Sequence, residues 1–88
     1  MRAIDIQIGK VTHYYDKISV AIVEAMNQPL RLGDKVKFSG HDKEFNQTVT
    51  SLQVEHKQVD KLPPGETGGL KVDQPVKVGD VLYLLTHK

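Results

Sequence analysis

Apolar residues alternate with polar ones along most of this chain, in short runs divided by turn residues. Ile4, Ile6 and Ile8 alternate with Asp5 and Gln7, a period of two that predicts a strand with one buried face. The apolar phase shifts to Val11 after Gly9, which predicts a bend or bulge at Gly9-Lys10. The polar and aromatic stretch His13-Tyr14-Tyr15-Asp16-Lys17 reads as a turn, and Ile18 to Ala25 as a second strand. In that strand Ile18, Val20 and Ile22 share one face, while Ala21, Val23 and Ala25 keep the other small and apolar. A loop at Asn27-Gln28-Pro29 precedes a strand at Lys35 to Ser39, with Val36 and Phe38 inward and Lys35 and Lys37 side by side outside.

Gly40 to Glu44 forms a polar turn, and the longest strand runs from Phe45 to about His56. Its inward set changes from Phe45, Gln47 and Val49 to Leu52 and Val54, a one-residue slip that predicts a bulge near Thr50-Ser51. Gln58 to Leu62 leads into the turn Pro63-Pro64-Gly65-Glu66. A glycine-rich strand from Thr67 to Val72 follows, in which Gly68 and Gly69 let a neighbouring backbone or a bound group come close. After a turn at Asp73-Gln74-Pro75 the last strand covers Val81 to Thr86.

Leu30-Arg31-Leu32-Gly33-Asp34 and Val76-Lys77-Val78-Gly79-Asp80 repeat one phrase, apolar-x-apolar-Gly-Asp, each followed by β-branched and aromatic residues. Glycine reaches backbone angles a Cβ forbids and aspartate bonds its own backbone, so the phrase predicts a tight turn that launches a strand. Gly33, Asp34, Gly65, Gly68, Gly69, Gly79 and Asp80 are therefore read as structural. The best helix candidate, Val20 to Met26, is too rich in β-branched residues. The expected fold is all-β: a small closed barrel of about six strands, because closure removes exposed edges.

With 88 residues there is room for one domain, spanning 1–88. Cysteine is absent, which excludes disulfides and thiolate metal sites and fits a reducing compartment. The N-terminus lacks the apolar core of a signal peptide, and the longest apolar run, Val20 to Val23, is far too short for a bilayer. A cytoplasmic location without membrane contact is the expectation. Net charge is +1, with signs interspersed, so an anionic partner would have to meet a local patch.

The run Thr50-Ser51-Leu52-Gln53-Val54-Glu55-His56-Lys57-Gln58-Val59, then Leu62-Pro63-Pro64-Gly65-Glu66-Thr67-Gly68-Gly69-Leu70-Lys71-Val72, resembles the second domain of translational GTPases of the elongation factor Tu type. A closer likeness is to the small C-terminal barrel of collagenase-like peptidases and to short stand-alone translation-factor-like proteins. That likeness is carried by Gly9 to Lys17, Gly33-Asp34 and Phe45-x-Gln47. The resemblance implies a Greek-key-type barrel. No Gly-x-x-x-x-Gly-Lys-Ser/Thr run occurs in this chain, so no nucleotide site is expected of it.

His13, His41, His56 and His87 are too far apart in sequence for the paired ligand spacing of zinc sites, so no metal is expected. Ser19, Ser39 and Ser51 lack a nucleophile elbow, and a filled barrel leaves little room for a cleft. The expectation is a binding module, neither an enzyme nor a cofactor carrier. Tyr14, Tyr15, Lys17, Lys35, Lys37, His41, Lys43 and Lys57 are the candidate contact surface for tRNA or rRNA, tyrosines stacking and lysines neutralising phosphate. The bland alternative is that the tyrosines cap the barrel mouth and the lysines confer solubility. The rival function is a protein-docking or accessory subunit for a peptidase-like or RNA-modifying enzyme, with Ala21, Val23 or Leu84 at its apolar centre.

Overall fold

The structure, a computed structural model, describes residues 6–40 and 43–85. Every regular element among them is a strand: β1 (Ile6–Tyr15), β2 (Val20–Ala25), β3 (Leu30–Arg31), β4 (Lys35–Ser39), β5 (Glu44–Thr48), β6 (Leu52–Val54), β7 (Lys57–Val59), β8 (Lys61–Leu62), β9 (Thr67–Lys71) and β10 (Val81–Leu84). Eight of them form one antiparallel sheet in the order β5-β4-β10-β1-β2-β9-β6-β7, and β3 pairs with β8 in a separate ribbon. No helix among the described residues is long and apolar enough to cross a membrane. The all-β expectation holds; Ile4, His41, Thr86 and His87 lie outside the described residues.

The closed barrel does not form. β5 and β7 are the two outer strands, and no ladder joins them. At the β5 margin a side chain replaces the ladder. Gln47 Nε2 donates to the carbonyl of Lys71 at 2.8 Å, and its Oε1 accepts from the amide of Asp73 at 2.8 Å. Lys43 Nζ adds a bond to the carbonyl of Pro75 at 3.3 Å. This explains why a buried inward position holds glutamine: its amide offers a donor and an acceptor, as a peptide group does.

The long strand expected from Phe45 to His56 is instead two strands at distant places in the sheet. β5 lies beside β4, β6 beside β9, and residues 49–51 carry the chain between them. The slip in the apolar pattern marks a crossing; a bulge and a crossing shift the inward set alike. At the other end, β1 runs straight through His13-Tyr14-Tyr15, and the turn is residues 16–19. Irregularities fall between Gln7 and Gly9 on the β10 side and between Val11 and His13 on the β2 side. At the second, Thr12 Oγ1 donates to the carbonyl of Ile22 at 3.2 Å.

The repeated phrase makes the same turn twice, and the Pro-Gly turn is its third copy. The amide of Asp34, Glu66 and Asp80 donates to the carbonyl three residues earlier at 3.2, 3.1 and 3.0 Å. Between them Gly33, Gly65 and Gly79 hold φ at 91°, 88° and 98°, the left-handed third position of a type II turn. The carboxylates of Asp34 and Asp80 also accept from the amides of Arg31 and Lys77. Pro63 has no amide to satisfy, so Glu66 can stand in the third copy. Each turn also docks through two backbone bonds on one residue: Gly33-Asp34 on Val49, Gly65-Glu66 on Ala25, and Gly79-Asp80 on Val11. Those three residues are buried.

The core lies inside the curl of the sheet. Phe38 stacks on Phe45 with centroids 5.0 Å apart, and the ribbon pair Leu30 and Leu62 is fully buried. β2 turns its small face inward: Ala21, Val23 and Ala25 are buried, while Val20 and Ile22 look outward and are half-buried. Beside it, β9 approaches β6 and the β3–β8 ribbon closely at Gly68. A Cβ on Gly68 would stand 2.8 Å from the carbonyl oxygen of Gln53 and 3.0 Å from Leu62 Cδ1.

Candidate functional site

Side chains alternate between faces along a strand, so the outer face of β2-β9-β6 is set by register. Ile22 pairs with Gly69, and Gly69 with Gln53. On β9 the outward residues are Thr67, Gly69 and Lys71, and the middle one has no side chain. A notch results. Val20 Cγ1 and Ile22 Cδ1 flank it, 3.2 and 3.6 Å from where a Cβ of Gly69 would be.

The notch is the centre of a groove with two lobes. One, of about 330 Å³, is closed by Glu55, His56 and Thr67; the other, of about 310 Å³, by Ser51 and Lys71. Ile18, Val20, Gln53 and Gly69 belong to both lobes. Tyr15 forms one wall of the first lobe and leans on His13, ring centroids 5.2 Å apart. Tyr15 and Ile18, 48% and 59% exposed, are two large apolar side chains left in solvent beside a half-apolar groove. A further hollow of about 450 Å³ surrounds the Gly79-Asp80 turn. The Asp80 carboxylate inside it accepts from the amide of Lys77 through Oδ2.

Glu55 and His56 are the two residues between the paired Val54 and Lys57, with φ of 52° and 68°. A two-residue hairpin loop with both positions left-handed is the turn that asparagine and glycine favour. Here a wall of the groove is built from residues that strain to be there, at about 1 kcal/mol or more each. Ser19, between Ile18 and Val20, is left-handed too, at φ 57°.

The expected RNA-contact residues are dispersed. Tyr14 faces inward and packs against the core, and Tyr15 faces the groove, because neighbours on a strand point apart. Lys17 is exposed in the β1–β2 loop. Lys35 and Lys37 do share the outer face of β4, but Lys37 Nζ lies 3.6 Å from Glu44 Oε2 and 5.3 Å from the centre of the Tyr83 ring. Lys43 reaches Pro75, and His41 lies outside the described residues. Lys57 is on β7, at the opposite end of the sheet order from β4. The apolar docking centre is also relocated: Ala21 and Val23 are fully buried and Leu84 packs on the core, whereas Ile18, Val20 and Ile22 form the exposed apolar surface. Among the described residues no three His, Asp or Glu side chains gather as a metal site would need.

This architecture defines a small all-β domain with a shallow groove on one face of its sheet. Its fold is that of the C-terminal domain of a Geobacillus thermoleovorans protein assigned to the U32 peptidases. A crystal structure of that domain superposes with a TM-score of 0.83 over 90% of this chain and 91% of that one, at 23% identity. The selenomethionine variant of the domain gives 0.81, over 86% of this chain and 95% of that one, at 24% identity. An uncharacterized protease of Methanocaldococcus jannaschii is 37% identical over 81 residues, which are 91% of this chain. The chain spans only 20% of that protease's length. No protein-family model matches the chain. The collagenase-like peptidase side of the sequence resemblance is supported by these likenesses; the translation-factor side is not.

Proposed function

We propose that this chain is a non-catalytic accessory domain that works beside a peptidase-type catalytic unit. The observation that carries this reading is the fit of nearly the whole chain to one fifth of a much larger protease. The likeness to an isolated C-terminal domain supports it. So does the site. A shallow groove walled by isoleucine and valine suits holding a partner or substrate. RNA contact is the weaker reading, since the residues offered for it are scattered and several already have protein partners.

The test is a domain exchange in the Methanocaldococcus protease. Its matching segment is deleted, or replaced by this chain, and hydrolysis of a denatured protein substrate is followed. The accessory reading expects deletion to cut the rate at least about tenfold and the replacement to restore most of it, as loss of a positioning element does. Equal rates with and without the segment would refute it.

A further inference from the structure

We propose that the groove over Gly69 binds an extended polypeptide segment with an apolar side chain at its centre and opposite charges two residues to either side. This goes beyond an accessory role, which a domain could fill without any peptide site of its own.

The geometry sets the central requirement. Gly69 removes the one side chain that would stand between Val20-Ile22 and Gln53, so an incoming aliphatic side chain has a floor of backbone and walls of valine and isoleucine. The pocket is the size of a side chain or two on each side, open along its length, which suits a strand-like ligand better than a compact one. The charges set the ends. Glu55 closes one lobe and Lys71 the other, with uncharged residues between. Glu24 stands near the Glu55 end but faces Lys10 across the β1–β2 ladder, so Glu55 is the acid offered to a ligand.

Spacing matches as well. Lys71 is two residues from Gly69, about 6.6 Å along the strand, and residues i−2, i and i+2 of an extended peptide lie on one face at that interval. A nucleic acid is the poorer occupant, because a chain of phosphates would meet one lysine and then a glutamate. Two of the four left-handed non-glycine residues among those described, Glu55 and His56, line the groove, and residues held in that conformation are found where a fold maintains a site.

The experiment uses the 88-residue chain labelled with ¹⁵N and two synthetic peptides, acetyl-Lys-Thr-Leu-Thr-Glu-amide and its charge-reversed form acetyl-Glu-Thr-Leu-Thr-Lys-amide. One of the two should shift the amides of Ile22, Gln53, Gly68 and Gly69, with a dissociation constant of about 1 mM or tighter. The orientation preferred tells whether the segment runs parallel or antiparallel to β9. Gly69→Ala, whose Cβ would stand 3.2 Å from Val20 Cγ1, 3.6 Å from Ile22 Cδ1 and 4.0 Å from the Gln53 carbonyl oxygen, should weaken the better peptide at least about fivefold. Lys71→Glu leaves an acid at both ends and should abolish the preference between the two peptides, and combining it with Glu55→Lys should reverse that preference, a result that loss of structure cannot produce. No shift at 5–10 mM of either peptide (about ten times the expected constant) would overturn the proposal. So would shifts at these amides that grow with protein concentration alone, which would mean self-association. A tRNA fragment that moves them at lower concentration than the peptides would overturn it too. A failure here leaves the domain-exchange result untouched, so the two readings fall separately.

Discussion

Gly68 and Gly69 are adjacent, look alike in sequence, and do different things. Strand alternation points the missing Cβ of Gly68 into the sheet, toward a backbone oxygen that cannot move, and that of Gly69 toward the tips of Val20 and Ile22. Gly68→Ala is therefore expected to cost about 2 kcal/mol or more by overpacking. Gly69→Ala should lie within about 0.5 kcal/mol of the parent, since a strand glycine gains by acquiring a Cβ what its neighbours lose by shifting. Urea denaturation of the two variants decides it, and equal midpoints would mean the β6–β9 approach is looser than the backbone distances say. The sequence reading that these glycines admit a neighbouring backbone holds at Gly68, and Gly69 leaves an open notch. Composition could not separate the two, because only the register with β2 and β6 assigns them to faces.

At the level of elements, the turns were legible and the crossings were not. Gly-Asp repeats encode local chemistry, a left-handed glycine and a carboxylate that bonds three residues back, so the chain announces them without tertiary help. The path at residues 49–51 depends on which strands lie beside β5 and β6, and nothing local specifies that. Gln47 is the element-scale clue that periodicity undervalued: an amide at an inward position signals a margin where backbone groups need a partner. Gln47→Leu keeps the volume but strands the Lys71 carbonyl and the Asp73 amide, and should cost about 2–4 kcal/mol. Hydrogen exchange gives the specific readout. The Asp73 amide should exchange faster by tenfold or more, while β2–β9 ladder amides change only with global stability. An unchanged Asp73 amide would remove Gln47 from its role at the seam.

Over the whole molecule, the count of charged and aromatic residues pointed to a surface that the fold divides. Lys35 and Lys37 lie on β4 and Lys57 on β7, with five strands between them in the sheet order, while Tyr14 faces the core. Sequence proximity grouped Tyr14 with Tyr15 and pairs of lysines with one another, but a contact surface is assembled by topology. The groove that topology does assemble draws on Ile18, Val20 and Ile22, which the sequence groups on one face of a strand, and hydrophobicity alone does not say which side of a sheet is covered. Polyelectrolyte theory turns the difference into a measurement. If the five lysines Lys17, Lys35, Lys37, Lys43 and Lys57 acted together on RNA, the logarithm of affinity would fall against the logarithm of salt with a slope of about −3.5 to −4.5. Lys37 is engaged by Glu44 and Tyr83 and Lys43 by Pro75, which leaves Lys17, Lys35 and Lys57, so no more than about three lysines are expected to displace counterions. The expected slope for a tRNA fragment is then no steeper than about −2.1 to −2.7. Lys35→Glu combined with Lys37→Glu should leave binding of the better peptide at the Gly69 groove within about twofold, because rim charges on a separate strand add little to a contact they do not touch. A salt slope near −4, abolished by that double reversal, would restore β4 as a nucleic-acid surface and make the groove the secondary feature.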